Sequence, residues 1–179
     1  MSQYKTIKYI PLLLLSPKKG VVELSKEDNI LTAILSFVII ATAWGFTAKA
    51  IFNESILQTI ALGIFQLLTV TSIFYGITLL LRGRTSFKNS LQVMAYIGII
   101  YYIFFQPLHI LALLLKFNAS TRYVELRVIG VVEIIWAIFV LTYYGKEICT
   151  LKRFKPFLVS MATLIIFLLI NFTVLWRTI

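Results

Sequence analysis

Groups able to move a proton, hold a metal or attack a substrate are scarce in this 179-residue chain. There is one histidine, His109, one aspartate, Asp28, six glutamates and one cysteine, Cys149. No His-Glu-x-x-His pair, glycine-rich phosphate loop or Gly-x-Ser-x-Gly elbow occurs, so the spacings that metal hydrolysis, nucleotide binding and acyl transfer require are missing. A metal site built on one histidine would need mixed ligands from several elements, and a lone cysteine excludes an internal disulfide. No catalytic residue, metal or cofactor is therefore expected. What remains is a set of polar groups set inside apolar sequence: Lys49, His109, Glu133 and Asn171. An ionisable group near the centre of a bilayer costs roughly 2.5–3.5 kcal/mol on insertion scales, so such groups must pair, reach water or serve a function.

The elements that carry these groups are long apolar runs. The chain is 60% hydrophobic and only 13% charged, above the roughly 45–50% apolar content of soluble domains. One bilayer crossing takes about 20 mostly apolar residues, and five such runs are present, at about residues 30–52, 56–81, 91–115, 128–144 and 157–176. The expected architecture is an all-α integral membrane protein, a five-transmembrane-helix bundle occupying residues 30–179 after a short N-terminal segment, 1–29.

Local signals set the boundaries. Ser25-Lys26-Glu27-Asp28 has the spacing of a helix cap before the first run, and the three-residue turn Asn53-Glu54-Ser55 predicts an antiparallel hairpin of the first two. Ala41 with Gly45 and Thr59 with Gly63 supply small residues for a close approach there. Pro107 removes a backbone donor and predicts a kink in the third run. Gly145 is the expected stop of the fourth, and Pro156 opens the fifth. The N-terminal segment is not a cleavable signal, because its apolar run Ile7 to Leu15 is interrupted by Pro11 and followed by no small-residue cleavage site. With Ser16-Pro17 as a second helix start and lysines around it, it reads as an interfacial element, too short to span.

The formal charge of +10 is read as cationic loops beside anionic headgroups, not as a nucleic-acid surface. Twelve of the 17 Lys and Arg fall in the N-terminal segment and in the loops after the second and fourth runs, the latter two including Arg82, Arg84, Lys88, Lys152, Arg153 and Lys155. Positive-inside asymmetry then puts the N-terminus in the cytoplasm and the C-terminus on the opposite side. At about 1.5 Å of rise per residue, Glu133, His109 and Asn171 lie ~8–9 Å inside the outer ends of their helices, with Lys49 shallower. They form one candidate outer-leaflet polar layer. Asn53, Asn118 and Asn171 match the glycosylation acceptor pattern, the first two in outer loops.

With five spans and their loops in place, the chain resembles the Ypt-interacting protein (Yip) domain family in its short prokaryotic form. Leu15-Ser16-Pro17-Lys18-Lys19-Gly20-Val21 is similar to the family's Pro-containing cytoplasmic segment. Arg82-Gly83-Arg84-Thr85-Ser86-Phe87-Lys88, followed by Ala95-Tyr96, is similar to its basic loop, and Pro107 to its helix-three proline. The Asp-Leu-Tyr-Gly-Pro motif of eukaryotic members is absent, and binding to small vesicle-trafficking GTPases is not carried over. For short members the resemblance implies a non-catalytic membrane role, including service as an accessory to transporters.

Two functional expectations follow. The first is a membrane scaffold or accessory subunit of a partner membrane complex, touching anionic lipid and a partner membrane protein or second copy through its basic loops. The second is a small transporter or channel subunit using the polar site around Glu133 and His109.

Overall fold

The computed structural model describes residues 3–26, 30–52, 55–114 and 119–176, with side chains described over 8–26, 30–47, 49–50, 55–111 and 128–170. All regular structure among them is helical. Two short helices, α1 (Gln3–Leu15) and α2 (Pro17–Ser25), precede α3 (Ile30–Phe52) and α4 (Ile56–Leu80). Next come α5 (Phe87–Ile100), a π-helical turn (Tyr101–Phe105) and α6 (Gln106–Leu114), then α7 (Ala119–Glu147) and α8 (Lys155–Trp176).

Four stretches are long and apolar enough to cross a membrane: Ile30–Thr47, Ile56–Leu80, Phe87–Leu111 and Val128–Glu147. Each buries only a minority of its residues inside the bundle, and Leu31, Ile39, Phe46, Leu68, Val131, Phe139 and many similar side chains face outward. In water such a surface would drive aggregation, whereas in hydrocarbon it is the solvated face. The fifth expected run is helical in α8, whose described apolar part is Lys155–Ile170.

α3 and α4 form the antiparallel hairpin that the short turn predicts. A Cβ on Gly45 would meet Ile56 Cγ2 at 3.1 Å, and one on Gly63 would lie 3.9 Å from Ala41 Cβ. α5 packs on both, α8 packs on α4 and α7, and α2 lies along α7. The core is formed by Phe37, Phe74, Tyr96, Ile99, Val140 and Tyr144 with residues from the N-terminal helices.

Several boundaries differ from the sequence reading. Ser25 is the last residue of α2, its hydroxyl donating to the Val22 carbonyl at 2.9 Å, and Glu27 and Asp28 of the expected cap before α3 lie outside the described residues. The third run begins at Phe87 instead of 91, because the Ser86 side chain accepts from the Asn89 amide at 3.1 Å and caps the helix there. Gly145 does not stop α7, which runs on to Glu147. Its missing side chain instead lets α8 approach, since a Cβ would stand 3.1 Å from Pro156 Cβ.

The N-terminal helices dock on the bundle. Tyr9, Leu13, Val21 and Leu24 are all buried. Tyr9 meets Tyr96 edge to face with centroids 5.8 Å apart, Gln92 Nε2 donates to the Leu24 carbonyl at 3.3 Å, and Trp136 Nε1 donates to the Leu13 carbonyl at 3.4 Å. The apolar residues expected at an interface therefore have a partner within the chain.

Candidate functional site

Two groups of polar residues emerge from this framework, at opposite ends of the spans. The first is built from the α4–α5 and α7–α8 loops. α4 ends in a motif with two backward hydrogen bonds, Gly83 N to Thr78 O at 2.8 Å and Arg82 N to Leu79 O at 2.9 Å, with Arg82 left-handed at φ 62°. Glycine would suit that φ best, yet the glycine is one residue later. Space decides its place: a Cβ on Gly83 would fall 2.6 Å from Thr78 Cγ2 and 2.9 Å from Leu151 Cδ2.

The two loops are joined. Arg84 N donates to Cys149 O at 2.8 Å, Lys155 Nζ donates to Leu81 O at 3.4 Å, and the Tyr144 hydroxyl bonds Thr85 Oγ1 at 2.9 Å and Ser90 Oγ at 3.4 Å. Cys149 is fully buried beneath them, and burial pushes its thiol up to about 12. The expected basic residues Arg82, Arg84, Lys88, Lys152, Arg153 and Lys155 are all exposed around this buried latch, as is Lys146. Arg153 and Thr150 are also left-handed, each at φ 56°, which turns the second loop tightly against the first.

The second group lies toward the other end. The helix carrying Pro107 widens into a π-turn just before it, and Gln106 N reaches back to Tyr101 O, five residues earlier. Proline offers no amide to the carbonyl of Ile103, and a widened turn re-spaces the backbone around the missing donor. One turn later His109 Nε2 stands 3.3 Å from Glu133 Oε2 on α7, with both side chains about a quarter exposed at 24% and 27%. Phe105 packs on Trp136 at 5.6 Å between centroids and holds α7 in register with this segment. An imidazole facing a carboxylate can share or pass a proton.

Of the four residues of the expected polar layer, His109 and Glu133 are brought together. Lys49 lies exposed in the last turn of α3. The Asn171 side chain lies outside the described residues, as do those of Asn53 and Asn118. Among the described residues, no three His, Cys, Asp or Glu gather as metal ligands would. Sequence reasoning missed the Tyr144–Thr85–Ser90 network; its only prior signal was a tyrosine among small hydroxyl residues at the ends of apolar runs.

The model for the Yip1 domain matches residues 12–175, nearly the whole chain. No curated protein sequence and no solved structure matches it.

Proposed function

We propose, from the premise that this chain belongs to the Yip1 domain family, that it is a non-catalytic scaffold or accessory subunit working on a partner membrane complex. In this reading α8 is the fifth crossing, the joined basic loops and the N-terminus are cytoplasmic, and the C-terminus lies opposite. The observation that carries it is the fusion of two distant basic loops into one rigid, exposed cationic face. The bond between Arg84 N and Cys149 O and the Tyr144 bonds below tie together the loop backbones that carry Arg82, Arg84, Lys88, Lys152, Arg153 and Lys155. A charged face held in one geometry loses less entropy on docking than flexible loops would, and suits an acidic partner surface beside anionic headgroups.

The test is purification in mild detergent with mass spectrometry, comparing the native chain with one in which Lys152, Arg153 and Lys155 are changed to Glu. A membrane complex that co-purifies stoichiometrically with the native chain and is lost from the variant supports the reading. Recovery of the same set of proteins by both overturns it.

The contact between His109 and Glu133 favours a second reading, a small transporter or channel subunit that passes protons or cations. Proteoliposome flux that disappears in Glu133→Gln, at unchanged expression and stability, would establish it in place of the first.

A further inference from the structure

Between the tip of the α1–α2 hairpin and α7 lies a groove of about 420 Å³. One wall is a stripe of α7 formed by Val132, Ile135, Trp136 and Phe139, spaced three and four residues apart and so on one helix face. The other wall is Leu14 and Pro17. Trp136 ties the walls together, since its Nε1 donates to Leu13 O at 3.4 Å while its ring packs on Phe105. Fixed contacts therefore hold the groove in shape.

Its two ends differ in polarity. Beside Val132, the α7 residues Val128, Val131 and Ile134 are exposed and apolar. At the other end stands Tyr143, and one turn further on α7 carries Lys146 and Glu147. Lys18, the neighbour of Pro17 in the chain, reaches Glu147 at 3.5 Å and links hairpin to α7 at this end. Lys19 and Lys146 are exposed and form no ion pair among the described residues. Three ammonium groups against one carboxylate leave this end cationic.

Size decides what the groove admits. Tyr143 to Val132 is eleven residues of α7, about 16 Å of helix, and half of the hydrocarbon core is about 15 Å thick. Spread over that length, the volume gives a mean cross-section of about 26 Å². A helix with its side chains is roughly 10–12 Å across and covers about 80 Å² or more, so a helix of a partner or of a second copy is too wide to enter. A single hydrocarbon chain is narrow enough.

We infer that this groove binds one anionic phospholipid, with an acyl chain lying along α7 from Tyr143 toward Val132 and the phosphate held by Lys18, Lys19 and Lys146. The inference rests on the membrane reading of the spans, not on the scaffold role. The apolar stripe accepts a chain from any lipid, whereas the cationic end selects the headgroup. Glu147 has a definite part in this arrangement, because it competes with the phosphate for Lys18. Removing its charge strengthens binding.

The test uses the full chain with Trp44→Phe and Trp176→Phe, which leaves Trp136 as the one indole. It is reconstituted in phosphatidylcholine vesicles containing a small fraction of lipid with brominated acyl chains, which quench an indole on contact. Brominated phosphatidylglycerol should quench Trp136 severalfold more than the same fraction of brominated phosphatidylcholine. The excess should disappear when Lys18, Lys19 and Lys146 are changed together to Gln, and should grow in Glu147→Gln. Equal quenching by the two lipids, or an excess that survives the triple change, overturns the site. Val132→Phe combined with Ile135→Phe fills the groove and leaves the charges in place; both side chains already face outward, so the bundle keeps its packing. That variant should lose the excess. An excess that persists in it marks lipid gathered at a charged surface and overturns the groove as the site. Failure to co-float with the vesicles overturns the membrane reading, and this site with it.

Discussion

The backbone amide of Arg84 donates to the carbonyl of Cys149 at 2.8 Å, so two loops far apart in sequence share one hydrogen bond at one end of the bundle. That bond forces both loops onto the same side of any membrane the helices cross, independently of how the charges are counted.

Topology is the first outcome this determines. Cysteines introduced at Lys88 and at Lys152 should react with impermeant maleimide in the same vesicle preparations, and in sealed right-side-out vesicles neither should react until the inner face is opened. Labelling of one without the other would separate the loops. Labelling of both in sealed vesicles would invert the proposed orientation.

The Tyr144 hydroxyl serves both Thr85 and Ser90, the latter fully buried. Tyr144→Phe keeps the ring against Phe74 but leaves the buried Ser90 hydroxyl with only its long 3.5 Å contact to Thr85 Oγ1. A buried polar group left unsatisfied costs about 1–3 kcal/mol, and the change should lower thermal stability in detergent by an amount in that range. It should also raise the reactivity of Cys149 as the loops loosen. No change in either would mean that the loops are held without it.

Cys149 gives a pH dependence of known sign. Its folded value, about 12, lies above the ordinary 9.0, so folding favours the protonated thiol. This contribution is fully present below about pH 9 and is lost as pH rises toward 12. Between those limits the stability of the native chain should fall more steeply than that of Cys149→Ala, measured by thermal unfolding across the alkaline range. Alkylation of the folded native chain near neutral pH should be slow for the same reason.

Glu133 and His109 predict a ranking. An amide can still bond the imidazole, so Glu133→Gln should retain most of the stability, whereas Glu133→Leu removes the bond. Hydrogen bonds between membrane helices are modest, so the difference should be about 1 kcal/mol, read from unfolding in detergent. In His109→Ala the two substitutions should become equivalent apart from packing.

Much of the bundle is legible in the sequence because a run of apolar residues long enough to cross a bilayer has few other uses. The starts and ends are less so. Ser25 and Gly145 carry the residue types of a cap and a stop, yet one ends the preceding helix and the other admits Pro156; residue type alone does not tell a terminus from a close contact. The N-terminal hairpin was hidden for a different reason. Tyr9 with Leu13, and Val21 with Leu24, have the spacing of a helix face, but hydropathy does not distinguish a face against lipid from one against other helices. The meeting of His109 and Glu133 was suggested by depth, whereas rotation about the helix axis, which depth does not contain, decides whether groups at one level meet.

That rotation is where the π-turn has its consequence. Each residue of an α-helix advances about 100° around the axis. A π-turn holds one residue more than the α-turn it replaces, so everything after Phe105 is re-phased relative to everything before it. Were the same residues wound as a regular α-helix, His109 would swing roughly 100° away from Glu133, whereas deleting a single residue between Tyr101 and Phe105 would turn the wide turn into an α-turn and leave His109 facing Glu133. The partnership is therefore encoded in the counting of residues as much as in their kinds, with the one extra residue of the wide turn setting the face on which His109 stands.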